Sequence, residues 1–169
     1  MQPILYLLRG APGTGKTALA AALHEALRCP WFEFGWIPEF RCLNPHTEIS
    51  YEDECALSAE NLVLVARNYF THGFAAVIVS DLEDARIPAF ADALSEIADI
   101  RILTLDCDDK TRTDRILTRA NGNDYRDTAA AQKIADRIRM TPYTGELRLD
   151  SGEMTAEEMC KYVLLPQNR

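Results

Sequence analysis

The run Gly10-Ala11-Pro12-Gly13-Thr14-Gly15-Lys16-Thr17 has the spacing Gly-x-x-x-x-Gly-Lys-Thr, in which each residue type has a chemical use. Gly10, Gly13 and Gly15 let the backbone curl until several N–H groups, that of Thr14 among them, converge on a phosphate. A helix starting near Lys16 adds the positive end of its dipole. Lys16 can reach the β- and γ-phosphates, which makes it the first catalytic candidate, and the Thr17 hydroxyl can take a coordination position on Mg²⁺. The chemistry implied is binding of a nucleoside triphosphate, expected to be ATP with Mg²⁺.

Such a loop works only between a buried strand and a helix, and the flanking sequence supplies both. Ile4-Leu5-Tyr6-Leu7-Leu8 is continuously apolar, as a strand covered on both faces must be. After the loop, Thr17-Ala18-Leu19-Ala20-Ala21-Ala22-Leu23 favours helix, to about residue 28, and Pro30 stops it. A second strand is expected over 31–36, then a loop over 38–46. Ser50 caps a helix with Glu52, Asp53 and Glu54 in its first turn, and Gly73 stops it. Ala75-Ala76-Val77-Ile78-Val79-Ser80-Asp81 is another buried strand that ends in an acid. Asp81 thus stands where a carboxylate can orient Mg²⁺ or its water, the alternative being a turn cap. A helix over 88–98 leads to a strand over 100–105.

Residues 110–140 read as arginine-rich helix, broken at Asn121-Gly122-Asn123. Arg115 and Arg119, four apart, share one helix face and can close on a triphosphate, together with Arg112 or Arg126. The competing reading is a solvated helix in which Asp108, Asp109, Asp114 and Asp127 pair with these arginines. A short strand over 146–149 and a helix opened by Thr155 with Glu158, a capping box, finish the chain. Strands alternating with helices predict an α/β fold with a mostly parallel sheet.

The 169 residues suffice for one domain, 1–169, with a lid at about 110–140. A net charge of −8 argues against extended nucleic-acid binding, which needs a basic face. No apolar run nears the ~20 residues of a membrane span. Five dispersed cysteines without a Cys-x-x-Cys pair suit a reducing compartment, so a cytoplasmic protein without membrane contact is expected.

Beyond the loop itself, the sequence resembles the small P-loop kinases, closest to the chloramphenicol phosphotransferase-like, gluconate kinase-like and polynucleotide kinase-like groups. The resemblance rests on the Gly10 to Thr17 loop, on Gly73 ahead of Val77-Ile78-Val79-Ser80-Asp81, and on Arg115-x-x-x-Arg119. It extends to Leu147-Arg148-Leu149-Asp150-Ser151 followed by Thr155-Ala156-Glu157-Glu158. It implies a three-layer P-loop NTPase fold, with a five-stranded parallel sheet in the order 2-3-1-4-5, helices on both faces and a helical lid. It also implies that Arg115 lies against adenine and Arg119 reaches phosphate.

The chain departs from this pattern after the second strand, where such enzymes place an Asp that accepts the proton of the substrate hydroxyl. Here Phe34-Gly35 is followed by Trp36-Ile37, and Pro38-Glu39-Phe40-Arg41 keeps the arginine but shifts the acid. Glu39 is the candidate base, with Glu33 ranked below it as a strand residue able to face solvent. Trp36 and Phe40 are candidates to wall an acceptor pocket. The function implied is ATP-dependent phosphoryl transfer to a hydroxyl of an unidentified small molecule or nucleotide. The alternative is an ATP-binding switch or ATPase that signals nucleotide state to a protein partner.

Overall fold

The computed structural model describes residues 2–36, 49–119 and 125–165. Five strands form one sheet: β1 (Ile4–Arg9), β2 (Trp31–Glu33), β3 (Ala76–Ser80), β4 (Asp99–Asp106) and β5 (Leu147–Asp150). Their order is β2-β3-β1-β4-β5 and every pairing is parallel, as the resemblance implied. The helices are α1 (Lys16–Leu27), α2 (Tyr51–Thr71), α3 (Ile87–Leu94), α4 (Asp109–Thr118), α5 (Thr128–Met140) and α6 (Ala156–Leu164).

The alternation of side chains along β1 divides the interior into two layers. Leu5 and Leu7 join Val77, Val79, Leu62, Phe70 and Leu94 beneath α2 and α3. Tyr6 and Leu8 join Leu19, Leu23, Met159 and Val163 beneath α1 and α6. Each fully buried leucine contributes ~1.5–3 kcal/mol, and truncating Leu7 to alanine at the sheet centre would cost ~2–5 kcal/mol. With both faces covered, the open ground lies at the carboxyl ends of the strands, where an α/β sheet takes its ligands.

The caps follow the sequence. Ser50 Oγ accepts from the Asp53 N–H at 3.1 Å, and Thr155 with Glu158 makes both halves of the capping box. Asp108 and Asp127 turn out to be N-caps of α4 and α5 rather than partners of the arginines. The second strand is shorter than expected. Glu33 pairs with Ser80, the last residue of β3, so the ladder has no further partner, and residues Phe34–Trp36 turn into a 3₁₀ coil. The third helix also ends early, at Leu94, where the Ile97 and Ala98 N–H groups fold back onto the Leu94 carbonyl. Among the described residues no helix is long and apolar enough to cross a membrane.

Candidate active site

The loop between β1 and α1 takes its shape from three positive-φ glycines, Gly10, Gly13 and Gly15. At Gly13 (φ 86°) a Cβ would sit 2.9 Å from the Arg112 carbonyl oxygen, so the close approach of α4 requires glycine as much as the backbone angle does. Thr14 is buried and its hydroxyl donates to the Ala11 carbonyl at 2.8 Å. Its side chain therefore braces the loop from inside. Lys16 Nζ donates to the Gly10 and Ala11 carbonyls at 2.9 and 3.1 Å and pairs with Asp81 Oδ1 at 3.0 Å.

Asp81 directly follows β3 with φ 62°, a left-handed conformation that costs a non-glycine residue ~1–3 kcal/mol and that aspartate tolerates better than most. Its neighbour across the strand ends is Glu33, whose carboxylate accepts from the Thr17 hydroxyl at 2.9 Å. Thr17, Glu33, Lys16 and Asp81 thus meet at the ends of β2 and β3. Glu33, expected from sequence to be able to face solvent, is the last residue of β2 and stands beside the residue that precedes Asp81. Glu39 and Phe40 lie outside the described residues.

Arg115 and Arg119 face the same cleft, of about 600 Å³, as Lys16, Thr17 and Asp81. Arg115 donates to the Ser151 hydroxyl and carbonyl at 3.2 and 2.7 Å, so α4 is tied to the turn after β5. Arg119 donates to the Tyr125 carbonyl at 2.6 Å and lies over that ring, 5.6 Å from its centroid. Neither arginine makes an ion pair with a carboxylate among the described residues. The salt-bridged-helix reading holds instead for Arg112. It is fully buried, bonded to Asp109 at 2.8 Å and to Gln132, and does not face the cleft. Arg126 bonds the carbonyls of Tyr125 and Arg119, which steadies the segment that carries Arg119.

Aromatic residues wall the cleft, but they are Phe34, Tyr51 and Tyr125. Trp36 is not among them. The 3₁₀ turn folds it back onto Trp31, with ring centroids 5.5 Å apart. Burial pushes the Cys107 thiol, beside Ser151, above its ordinary pKa despite Arg115 nearby, which keeps it un-ionised and inert as a nucleophile. Cys29, Cys55, Cys107 and Cys160 are all buried free thiols.

One buried residue under the loop escaped the sequence reading. Arg9, the last residue of β1, bonds Asp84 through two nitrogens, Glu146 at 3.0 Å, and both the carbonyl and the hydroxyl of Thr141. The Tyr143 ring lies 4.5 Å from its guanidinium carbon. Burial opposes the charge, yet Asp84 and Glu146 together hold its pKa above the ordinary arginine value. This network fixes the turn after β3 and the end of α5 to the residue just before Gly10. The one signal in the sequence is a charged residue closing an otherwise apolar strand.

No protein-family model matches the chain, and no curated protein matches it in sequence. Solved structures do match. A protein from Chloroflexus aurantiacus, 19% identical, superposes over 96% of this chain and 97% of its own with a TM-score of 0.69. A sugar kinase from Janibacter sp., 17% identical, gives 0.68 over 96% and 92%. The Mycobacterium tuberculosis APS kinase CysC, solved with AMPPNP and APS, is 15% identical and gives 0.62 over 96% of each chain. The sheet order matches the fold of these neighbours, and the chain has the P-loop small-molecule kinase fold.

Proposed function

We propose that this chain is an ATP-dependent phosphotransferase that moves the γ-phosphoryl group to a hydroxyl of a small molecule or nucleotide. The observation that carries this reading is one cleft lined by Lys16 and Thr17 of the loop, by Asp81, and on the opposite wall by Arg115 and Arg119. A bare phosphate site would need only the loop. Two arginines without a carboxylate partner among the described residues supply the positive charge that phosphoryl transfer develops a need for. Solved neighbours that are kinases support the same reading.

In the transfer, the acceptor oxygen bonds to the γ-phosphorus while the bond to the bridging oxygen breaks. ADP leaves with that electron pair, and the hydroxyl proton passes to a carboxylate. Lys16 exchanges Asp81 for the β- and γ-phosphate oxygens. Arg115 holds the nucleotide from its anchor on Ser151, and Arg119 reaches the phosphates, with 110–140 acting as the lid that carries both. The Thr17 hydroxyl and the Asp81 carboxylate are hard oxygen donors suited to Mg²⁺. That ion would neutralise charge on the phosphoryl oxygens. Glu33, holding the Thr17 proton, turns the hydroxyl lone pairs away from itself and so orients this ligand. For the proton acceptor, the candidate is Glu39, which the sequence offers. Four buried free thiols among the described residues accord with a cytoplasmic protein.

The test is ADP formation across a broad panel of hydroxyl compounds. A kinase gives turnover raised by one chemical class. Turnover flat across the panel, with a protein partner retained only when ATP is present, would replace this reading by the nucleotide-dependent switch.

A further inference from the structure

Helices α2 and α3 cover one face of the sheet, and between them runs an apolar groove of about 540 Å³. Its floor is Ala56, Ala59 and Val63 of α2 with Ala89 and Ala93 of α3, side chains short enough to leave it shallow and open. Leu64 lines the same groove yet stands 63% exposed, a leucine that neither core layer uses. A lone exposed leucine is ordinary, but one set against such a groove forms contiguous apolar surface of the kind another surface covers.

The charges on this face say what that surface is. Glu60 makes no hydrogen bond or ion pair among the described residues. Arg67 uses one nitrogen on the Ala93 carbonyl at 2.8 Å and has no carboxylate partner among the described residues. Arg86, also in the groove wall, is by contrast shared between Glu83 at 2.6 Å and Glu52 at 2.7 Å. Glu60, Leu64 and Arg67 follow the i, i+4, i+7 spacing and so share one stripe of α2. The acid and the base are about 10 Å apart along the axis, too far to pair with each other, with the leucine between them.

We infer that a second copy of this chain covers the groove, related by a twofold axis that passes beside Leu64 and runs the two α2 helices antiparallel. That symmetry sets Glu60 of each copy opposite Arg67 of the other, so one contact made twice satisfies both charges. The same register puts Leu64 against Val63 of the other copy, and the alanines of α3 allow the helices to approach closely. The result is an apolar centre flanked by charged pairs, the usual anatomy of an interface. Two helices per copy give a contact at the small end of the ~1,200–2,000 Å² of stable complexes, so the dimer dissociates on dilution. None of this depends on the chemistry of the cleft.

The experiment is sedimentation velocity of the full chain over a dilution series from about 100 to about 1 μM, the range in which a small interface comes apart. The wild type is expected to pass from dimer to monomer. Leu64→Asp, which sets a carboxylate into the apolar centre, should be monomeric throughout. Glu60→Arg alone, or Arg67→Glu alone, places like charges opposite each other at both ends of the contact and should weaken the dimer roughly tenfold or more. Glu60→Arg combined with Arg67→Glu restores opposite charges at both ends and should recover most of the lost affinity. A wild type that stays monomeric across the series leaves the groove to a different protein and overturns the inference. A dimer that ignores Leu64→Asp is made elsewhere and overturns it too, and a double variant no tighter than the single ones overturns the antiparallel pairing. Circular dichroism melts at the dilute end, expected to lie near the wild type because Glu60, Leu64 and Arg67 are exposed, exclude misfolding as the cause.

Discussion

At the proposed nucleotide end of the cleft, Gly10 to Thr17 supply the glycine loop, the lysine and the hydroxyl proposed as a metal ligand from one unbroken stretch, and the fold merely brackets them. At the proposed acceptor end the walls come from Phe34, Tyr51, Asp81 and Glu83, which lie far apart in the chain and meet only because the fold brings them together. The first end obeys a rule of spacing along the chain. The second obeys rules of packing, so a substitution there can alter specificity without touching the phosphate site. Arg9 ties the loop to those later elements, since it directly precedes Gly10 and holds Asp84, Thr141 and Glu146.

If the division is real, Lys16→Ala should produce the largest effect. Loss of the cation that faces the phosphates should lower kcat on the order of a thousandfold while the circular dichroism melt stays close to wild type. A variant that keeps a tenth of the activity would show that the loop is not where transfer occurs. Arg9→Met tests the joint between the ends. It leaves Asp84 without its cation and Glu146 with Arg148 alone, and breaking such a buried pair costs ~3–5 kcal/mol. Urea unfolding should show that loss, and a melt unchanged from wild type would mean the two ends are held together by other contacts. Gly13→Ala follows, at ~1–3 kcal/mol, because a Cβ at φ 86° also meets the Arg112 carbonyl oxygen. Nucleotide affinity should fall along with stability.

The nucleotide end was legible because its chemistry is local. Gly-x-x-x-x-Gly-Lys-Thr names its own geometry, and Asp81 declares itself by closing a strand of five buried residues. The sheet order was legible only through resemblance, since periodicity predicts strands but not their neighbours. Trp36 shows the limit on the acceptor side: its placement depended on β2 ending at Glu33, and that depended on β3 ending at Ser80, a fact about the partner strand. Arg112 and Arg115, three residues apart on one helix, could not be told apart by pattern. Packing against Gln132 buried the first and left the second to Ser151.

The two arginines at the nucleotide end allow a smaller test of how that end divides its labour. Arg115 is anchored on Ser151 and so is placed before any ligand arrives, whereas Arg119 is held, among the described residues, by the Tyr125 carbonyl and ring. Arg115→Ala should therefore raise the KM for ATP roughly tenfold with kcat nearly kept, and Arg119→Ala should lower kcat by about the same factor. Identical changes in both parameters for both variants would mean that the arginines act as one undivided patch.

The smallest effect expected is a pH dependence at the joint. Burial would raise the Glu146 pKa, but the Thr104 hydroxyl and Arg148 outweigh it, and the carboxyl sits below its ordinary value of 4.5. A carboxyl that is more acidic in the folded chain than in the unfolded one stabilises the fold above the unfolded value, and that contribution fades as the pH falls through the folded value. Wild-type stability in urea should thus decline as the pH drops below ~4.5. Glu146→Gln, less stable at pH 7 because Arg9 loses a charged partner, should close the gap to wild type over the same interval. A gap that stays constant from pH 7 to pH 3 would show that Glu146 supports Arg9 by shape and hydrogen bonding alone, and that the joint carries no charge term.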